Sequence, residues 1–226
     1  MESKVSPVQN YSARGKEKEV SNGVNAIILA GGKNTRMQGE DKAFLKVEGR
    51  PIIVRVIEKL RPLVSEVIVV TNSPEKYKGF EVKTAKDDCP GKGPLMGLYS
   101  GLKASRAEYN FVVACDMPFI NPCLIKFMLD ERDDYDILIP RVSEKFHTLF
   151  GVYSKACIPV MEEMLKKDEL RLRCIFPKLN ARFLSRQELE KIDPGLLSLV
   201  NINTPEELAG ISRLRLEIWE GKLCQR

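Results

Sequence analysis

One short stretch limits the possible folds of this chain more than any other: an apolar run that breaks into paired glycines and then into cations. Ala26-Ile27-Ile28-Leu29 is continuously apolar, which suits a parallel strand buried on both faces. Ala30-Gly31-Gly32 ends it, and Lys33, Arg36 and Lys42 follow. Strand, glycine turn and cations in that order let phosphate oxygens approach bare backbone N–H groups while fixed positive charge offsets their own. A Cβ at the glycines would block that approach and resist positive φ. Two better-known phosphate loops do not fit. A Walker A loop would need glycine at Ile27 and Ser or Thr at Asn34, and a dinucleotide fingerprint would need spaced rather than adjacent glycines. A plain strand-to-loop turn is the competing reading, and the cations argue against it.

The segments that follow alternate between strand and helix. Phe44–Val47 reads as a short strand, and Pro51 suits the first turn of a helix to about Leu63, with Ile52, Ile53, Val56, Ile57 and Leu60 at helical spacing. Glu66–Thr71 and Glu81–Ala85 read as strands. Gly93-Pro94 opens a helix to about Ser105, Phe111–Asp116 is a buried strand ending in a carboxylate, and Asn121-Pro122 caps a helix to Asp130. This rhythm predicts an α/β fold: a single-domain, Rossmann-like three-layer α/β/α sandwich with a mostly parallel sheet and right-handed crossovers.

Further on, Asp136–Pro140 and Phe146–Tyr153 read as strands, antiparallel to one another. Lys155–Lys167 and Leu170–Leu179 read as helices and Leu199–Asn203 as a late strand. Thr204-Pro205-Glu206-Glu207 is a capping box for a last helix to about Glu220. Residues 1–22 are polar and charged without an apolar face, and read as a mobile tail ahead of a domain spanning 23–226.

In open parallel sheets ligands gather beyond the carboxyl ends of the strands. Gly31-Gly32, Asn72 and Asp116 are therefore expected on one rim. Asp116 lies five residues ahead of the Asn121 cap and is read as a metal ligand rather than a cap. Asn201 and Asn203 alternate on one strand face, where either could reach the metal or the acceptor. His147 is open between acceptor binding and strand packing, and Cys115 reads as a small buried residue.

Composition excludes several classes. A net charge of +5, spread rather than clustered, suits an anionic substrate better than duplex DNA, so no nucleic-acid partner is expected. No apolar run approaches membrane-spanning length, so no membrane partner is expected either. Cysteines at 89, 115, 123, 157, 174 and 224 form no C-x-x-C pair, and the chain has 1 His, which argues against structural zinc. No secretory pattern is visible, so reduced thiols and a cytoplasmic location are expected.

Taken together, L-A-G-G-K-x-x-R-M, Asp41-Lys42, P-G-K-G-P-L-M-G, C-D-M-P and N-I-N-T-P-E-E-L resemble the molybdenum cofactor guanylyltransferases, in order from about residue 24 to 210. The L-A-G-G form resembles guanylyl-transferring members, where cytidylyl-transferring relatives usually read L-A-A-G. The resemblance implies GMP transfer from Mg-GTP to molybdenum-loaded molybdopterin, with pyrophosphate released and Mg²⁺ as cofactor. It implies nucleotide contacts at Leu29, Ala30, Gly31, Gly32, Lys42, Asn72, Asp87, Gly93, Pro94, Leu95 and Asp116, with Asp116 on the metal. The family's asparagine at the second strand end also falls two residues earlier, where this chain has Val70. Arg36, Lys42 and Asp116 are the implied catalytic groups.

His147, Asn201 and Asn203 are the acceptor-binding candidates. His147-Thr148-Leu149 resembles the family's His-Pro-Leu segment, with Thr148 departing from it. Partner proteins that deliver the pterin or receive the product belong to the same expectation. The alternatives are a cytidylyltransferase of the same cofactor, a nucleotidyltransferase for another phosphomonoester, and a nucleotide-binding regulator without turnover.

Overall fold

A computed structural model of the chain describes residues 23–31, 42–87, 91–202 and 207. Several expectations lie outside those residues: the tail 1–22, Gly32 and Arg36, Asn203, and the capping box with its last helix, of which Glu207 alone is described and is helical.

In chain order the elements are β1 (Val24–Leu29), β2 (Lys46–Val47), β3 (Arg50–Pro51), α1 (Ile52–Leu60), β4 (Val67–Val70) and β5 (Lys83–Ala85). There follow α2 (Gly93–Ala104), β6 (Tyr109–Ala114), α3 (Pro122–Asp130), β7 (Ile137–Val142), β8 (Lys145–Phe146) and β9 (Phe150–Ser154). The described chain continues with α4 (Cys157–Lys166), β10 (Ala181–Leu184) and α5 (Arg186–Glu190).

The main sheet has 8 strands in the order β10-β7-β9-β6-β1-β4-β5, with β8 paired to β7. β1 is central and pairs in parallel with β4 and β6, while β9 runs antiparallel to both β6 and β7. The expected mixed, mostly parallel sheet is observed.

Both faces of the sheet are covered, which is why its central strands are apolar throughout. Ala26 and Ile28 face a core shared with Ile53, Ile57 and Leu124, whereas Ile27 and Leu29 face a second core with Leu98, Leu102 and Met161. α1 and α3 therefore cover one side and α2 and α4 the other. No described helix is long and apolar enough to cross a membrane.

Local differences from the expected elements have identifiable causes. The strand expected at Phe44–Val47 is a 3₁₀ turn, Lys42–Phe44, followed by β2. Glu48 and Gly49, at φ 51° and 78°, turn the chain straight back into β3, so Pro51 precedes α1 instead of beginning it. The helix expected to reach Leu63 changes to 3₁₀ at Arg61–Leu63, where Pro62 has no N–H to donate. Phe146–Tyr153 is broken because the Phe150 N–H turns back to the His147 carbonyl and the Tyr153 hydroxyl donates to the Thr148 carbonyl. Leu170–Leu179 contains a 3₁₀ segment, Leu172–Lys178, with Pro177 inside it.

The late strand at Leu199–Asn203 is not formed over its described part. Leu199 closes the 3₁₀ segment Pro194–Leu199, and the Ile202 N–H donates to the Asp116 carbonyl at 2.8 Å instead of to a ladder. β10 and α5 were not anticipated, although Ser185 and Glu188 form a capping box that the sequence displays.

Candidate active site

β1, β4 and β6 end on the same side of the sheet, and a cleft of about 720 Å³ opens beyond their carboxyl ends. β1 brings Leu29, Ala30 and Gly31 to it. The Ala30 N–H donates to the Val70 carbonyl and the Cys115 N–H to the Leu29 carbonyl, which carries the ladder one step past the strand ends. Gly31 has no positive φ, and a Cβ there would meet no atom within 4 Å. The protein itself does not demand glycine at that position; the space beside it belongs to the cleft.

The opposite wall is the start of α2. Gly91, Gly93, Pro94 and Gly97 line it, with φ of 99° at Gly91 and 71° at Gly93, conformations that favour glycine. α2 carries no acidic residue in its first turn and no side-chain cap, so its positive end meets the cleft unneutralised by its own sequence. Leu95 lies elsewhere: it has 0% exposure and packs in the core between α2 and the sheet. At about 100° per residue, a helix that turns Pro94 and Gly97 to the cleft carries Leu95 away from it. Any nucleotide contact at Leu95 therefore falls to its backbone rather than to its side chain.

Lys42, Thr71, Asn72 and Asp87 close a third side. The Thr71 hydroxyl accepts the Ser73 N–H at 3.1 Å, turning the chain as it leaves β4. Val70 lines the cleft as well, so both candidate positions for the family's asparagine lie on its wall.

Asp116 stands two residues past β6, half-buried on the floor. The Asn201 side-chain amide donates to its Oδ1 at 2.7 Å, and the Ile202 N–H holds its backbone carbonyl. Burial pushes the carboxyl above its ordinary range, while the Asn201 hydrogen bond and the Lys42 ammonium draw it down and Glu207 adds to the rise. Asn201 thus enters the site as the partner of Asp116.

His147 sits in the turn between β8 and β9 and is not among the residues lining the cleft; Leu149, two residues on, is. Burial, with Lys145 nearby, lowers the imidazole to about 4, so it is neutral at pH 7. The Ala114 N–H donates to the Leu149 carbonyl at 3.0 Å and fixes that residue beside the end of β6. Cys115, expected to be buried, is half-exposed and lines the cleft. Thr71, Gly91, Gly97, Cys115 and Leu149 were not singled out as site residues. Gly91, Gly97 and Cys115 lie within the quoted motifs, and Thr71 and Leu149 adjoin the ends of β4 and β9.

The MobA-like NTP transferase domain family matches residues 26–182, from within β1 to within β10. The chain belongs to this family. It is a nucleotidyltransferase by that membership, and its relatives are more specific. A molybdenum cofactor guanylyltransferase of Desulfosudis oleivorans is 36% identical over 186 residues, covering 82% of this chain and 92% of that protein. A probable molybdenum cofactor guanylyltransferase of Clostridium perfringens is 38% identical over 185 residues, covering 81% and 93%. The crystal structure of molybdopterin-guanine dinucleotide biosynthesis protein A from Archaeoglobus fulgidus superimposes with a TM-score of 0.72 at 24% identity, covering 85% of this chain and 99% of that one. The last likeness bears on the fold, and the nucleotidyltransferase sandwich is shared.

Proposed function

We propose that the chain transfers GMP from Mg-GTP to the terminal phosphate of molybdenum-loaded molybdopterin, giving the guanine dinucleotide cofactor and pyrophosphate. The observation that carries this reading is the convergence of Leu29-Ala30-Gly31, Lys42, the start of α2 and Asp116 on one cleft, in a chain whose relatives at 36% and 38% identity bear the guanylyltransferase name.

The acceptor oxygen attacks the α-phosphorus, forming one P–O bond as the bond to pyrophosphate breaks. A phosphomonoester has a second pKa near about 6, so the attacking group is already anionic at neutral pH and needs little general base. The protein's work is then positioning and charge neutralisation. Leu29, Ala30, Gly31 and Gly32 lie along the nucleotide, Asn72 and Asp87 hold the guanosine, and the start of α2 offers backbone N–H donors from Gly93 and its first turn, while Pro94, which has no N–H, contributes only its ring. Lys42 and Arg36 offset the charge of the departing pyrophosphate, one as a point charge and the other as a planar fork.

Asp116 is the carboxylate that would hold Mg²⁺, whose charge offsets that of the phosphates. A single carboxylate suits a hard cation that keeps phosphate oxygens and waters as its other ligands. Asn201 fixes which way that carboxylate faces. Asn203 and His147 are assigned to the acceptor side, the imidazole acting as a neutral hydrogen-bonding group. Residues 23–226 are assigned to the catalytic domain, and the enzyme works in the cytoplasm, receiving the pterin from and passing the product to protein partners.

The test is pyrophosphate release from Mg-GTP, Mg-CTP and Mg-ATP, each with and without molybdenum-loaded molybdopterin. Release with GTP that depends on the pterin is expected. Release with CTP instead would move the enzyme to cytidylyl transfer, and release with none would overturn the acceptor assignment.

A further inference from the structure

Lys42 enters the cleft from the first residue of a single 3₁₀ turn, Lys42–Phe44. One such turn has little stiffness of its own, and the Leu45 N–H closing on the Lys42 carbonyl at 3.2 Å is a long bond. Its position depends on what its side chains touch. Ala43 is fully buried in the core. Phe44 lies across the turn from it, half-buried, with its ring centroid 5.5 Å from that of Tyr77 and 6.4 Å from that of Phe80. Tyr77 and Phe80 are themselves 6.3 Å apart, so the three rings close a triangle.

Tyr77 is the fixed corner, 2% exposed and part of the core beneath α1. It ends the 3₁₀ turn Pro74–Tyr77, which begins two residues after Asn72 on the cleft wall. The ring triangle therefore joins the segment carrying Lys42 to the segment carrying Asn72.

We propose that Phe44 is a positioning residue for nucleotide binding: seated on Tyr77 and Phe80, its ring fixes Lys42 relative to Asn72 and so sets the span that a nucleoside triphosphate must bridge. The proposal rests on the role assigned above to Lys42 as a phosphate-binding cation. Lysine is a point charge on a flexible stem, so a displaced backbone is only partly made good by the side chain. Truncating Phe44 leaves Ala43 buried and the β2–β3 hairpin paired, so the domain keeps its anchors there.

The experiment is a double-mutant cycle on GTP affinity, read by calorimetry with the full chain and Mg-GTP as the probe: wild type, Phe44→Ala, Lys42→Ala and the double variant. Phe44→Ala is expected to weaken GTP binding by about tenfold, a change of the size that aromatic contacts carry. In the Lys42→Ala background the same substitution is expected to cost less than about twofold. Phe44→Tyr, which keeps the ring, is expected to restore wild-type affinity.

Equal losses in both backgrounds would overturn the proposal, because a general loosening of the fold does not act through Lys42. If Lys42→Ala itself leaves GTP affinity unchanged, the role of Lys42 is wrong and the inference falls with it, a result distinct from additivity. Should Phe44→Ala lose its cooperative thermal transition, Phe80→Ala carries the test, since it removes the seat rather than the ring. The same dependence on Lys42 is expected of it.

Discussion

Asp116 and Asn201 show how one contact changes the meaning of a residue. The motif around Asn201 marks it as functional but not what it does; its amide reaches Asp116 across 85 residues of chain, a pairing that no local pattern encodes. Hydrogen bonds to a charged group contribute roughly 1.5–3 kcal/mol. Asn201→Ala is therefore expected to lower kcat/KM for GTP by about 10- to 100-fold and to lower the melting temperature by a few degrees without loss of the cooperative transition, as steady-state kinetics and a thermal scan would show.

His147 supports a pH prediction. Its folded pKa, about 4, lies below the ordinary 6.5. Between those values the unfolded chain binds the proton and the folded chain does not, so stability is complete above pH 6.5 and is lost as the pH falls toward 4. Denaturant titrations across that window should show a loss of roughly 1–3 kcal/mol that His147→Gln largely removes. An unchanged pH profile in the variant would contradict the assigned cause.

At the scale of elements, α2 packs closely on the sheet. A Cβ at Gly101 would lie 2.6 Å from Ile27 Cγ2 and 3.0 Å from Val70 Cγ2, so this glycine lets the helix rest directly on β1 and β4. Gly101→Ala would push α2 off the sheet and move Gly93 and Gly97 at the cleft with it. Overpacking of this kind costs roughly 1–3 kcal/mol, more than the gain of up to about 1 kcal/mol in helix propensity. A lower melting temperature and a raised KM for GTP are expected together. A stabilised variant with unchanged KM would show that α2 does not register the cleft.

The same elements show what the sequence made legible. β1, β4, β6, α2 and α3 were readable because continuous apolar runs and the Gly-Pro and Asn-Pro starts are local signals. Asn121 does accept the Cys123 N–H as the cap those signals imply. The break at His147, the absent strand around Asn201 and the inward turn of Leu95 were not, since each is decided by a partner distant in sequence or by which side of a helix faces the sheet. Gly31, Asn72 and Asp116 came together on one rim because strand ends alone determine a rim in a parallel sheet.

For the molecule as a whole, two cores hold a central sheet so that segments from seven parts of the chain meet at its carboxyl edge. Function on this account is concentrated at that edge, and its centre is the carboxylate of Asp116. The most direct measurement is pyrophosphate release from Mg-GTP and molybdenum-loaded molybdopterin by the wild-type chain and by Asp116→Asn, with the melting temperature of each recorded alongside. The account predicts a loss of about 100-fold or more in rate for Asp116→Asn without loss of the folded state. A variant that releases pyrophosphate at the wild-type rate would contradict it.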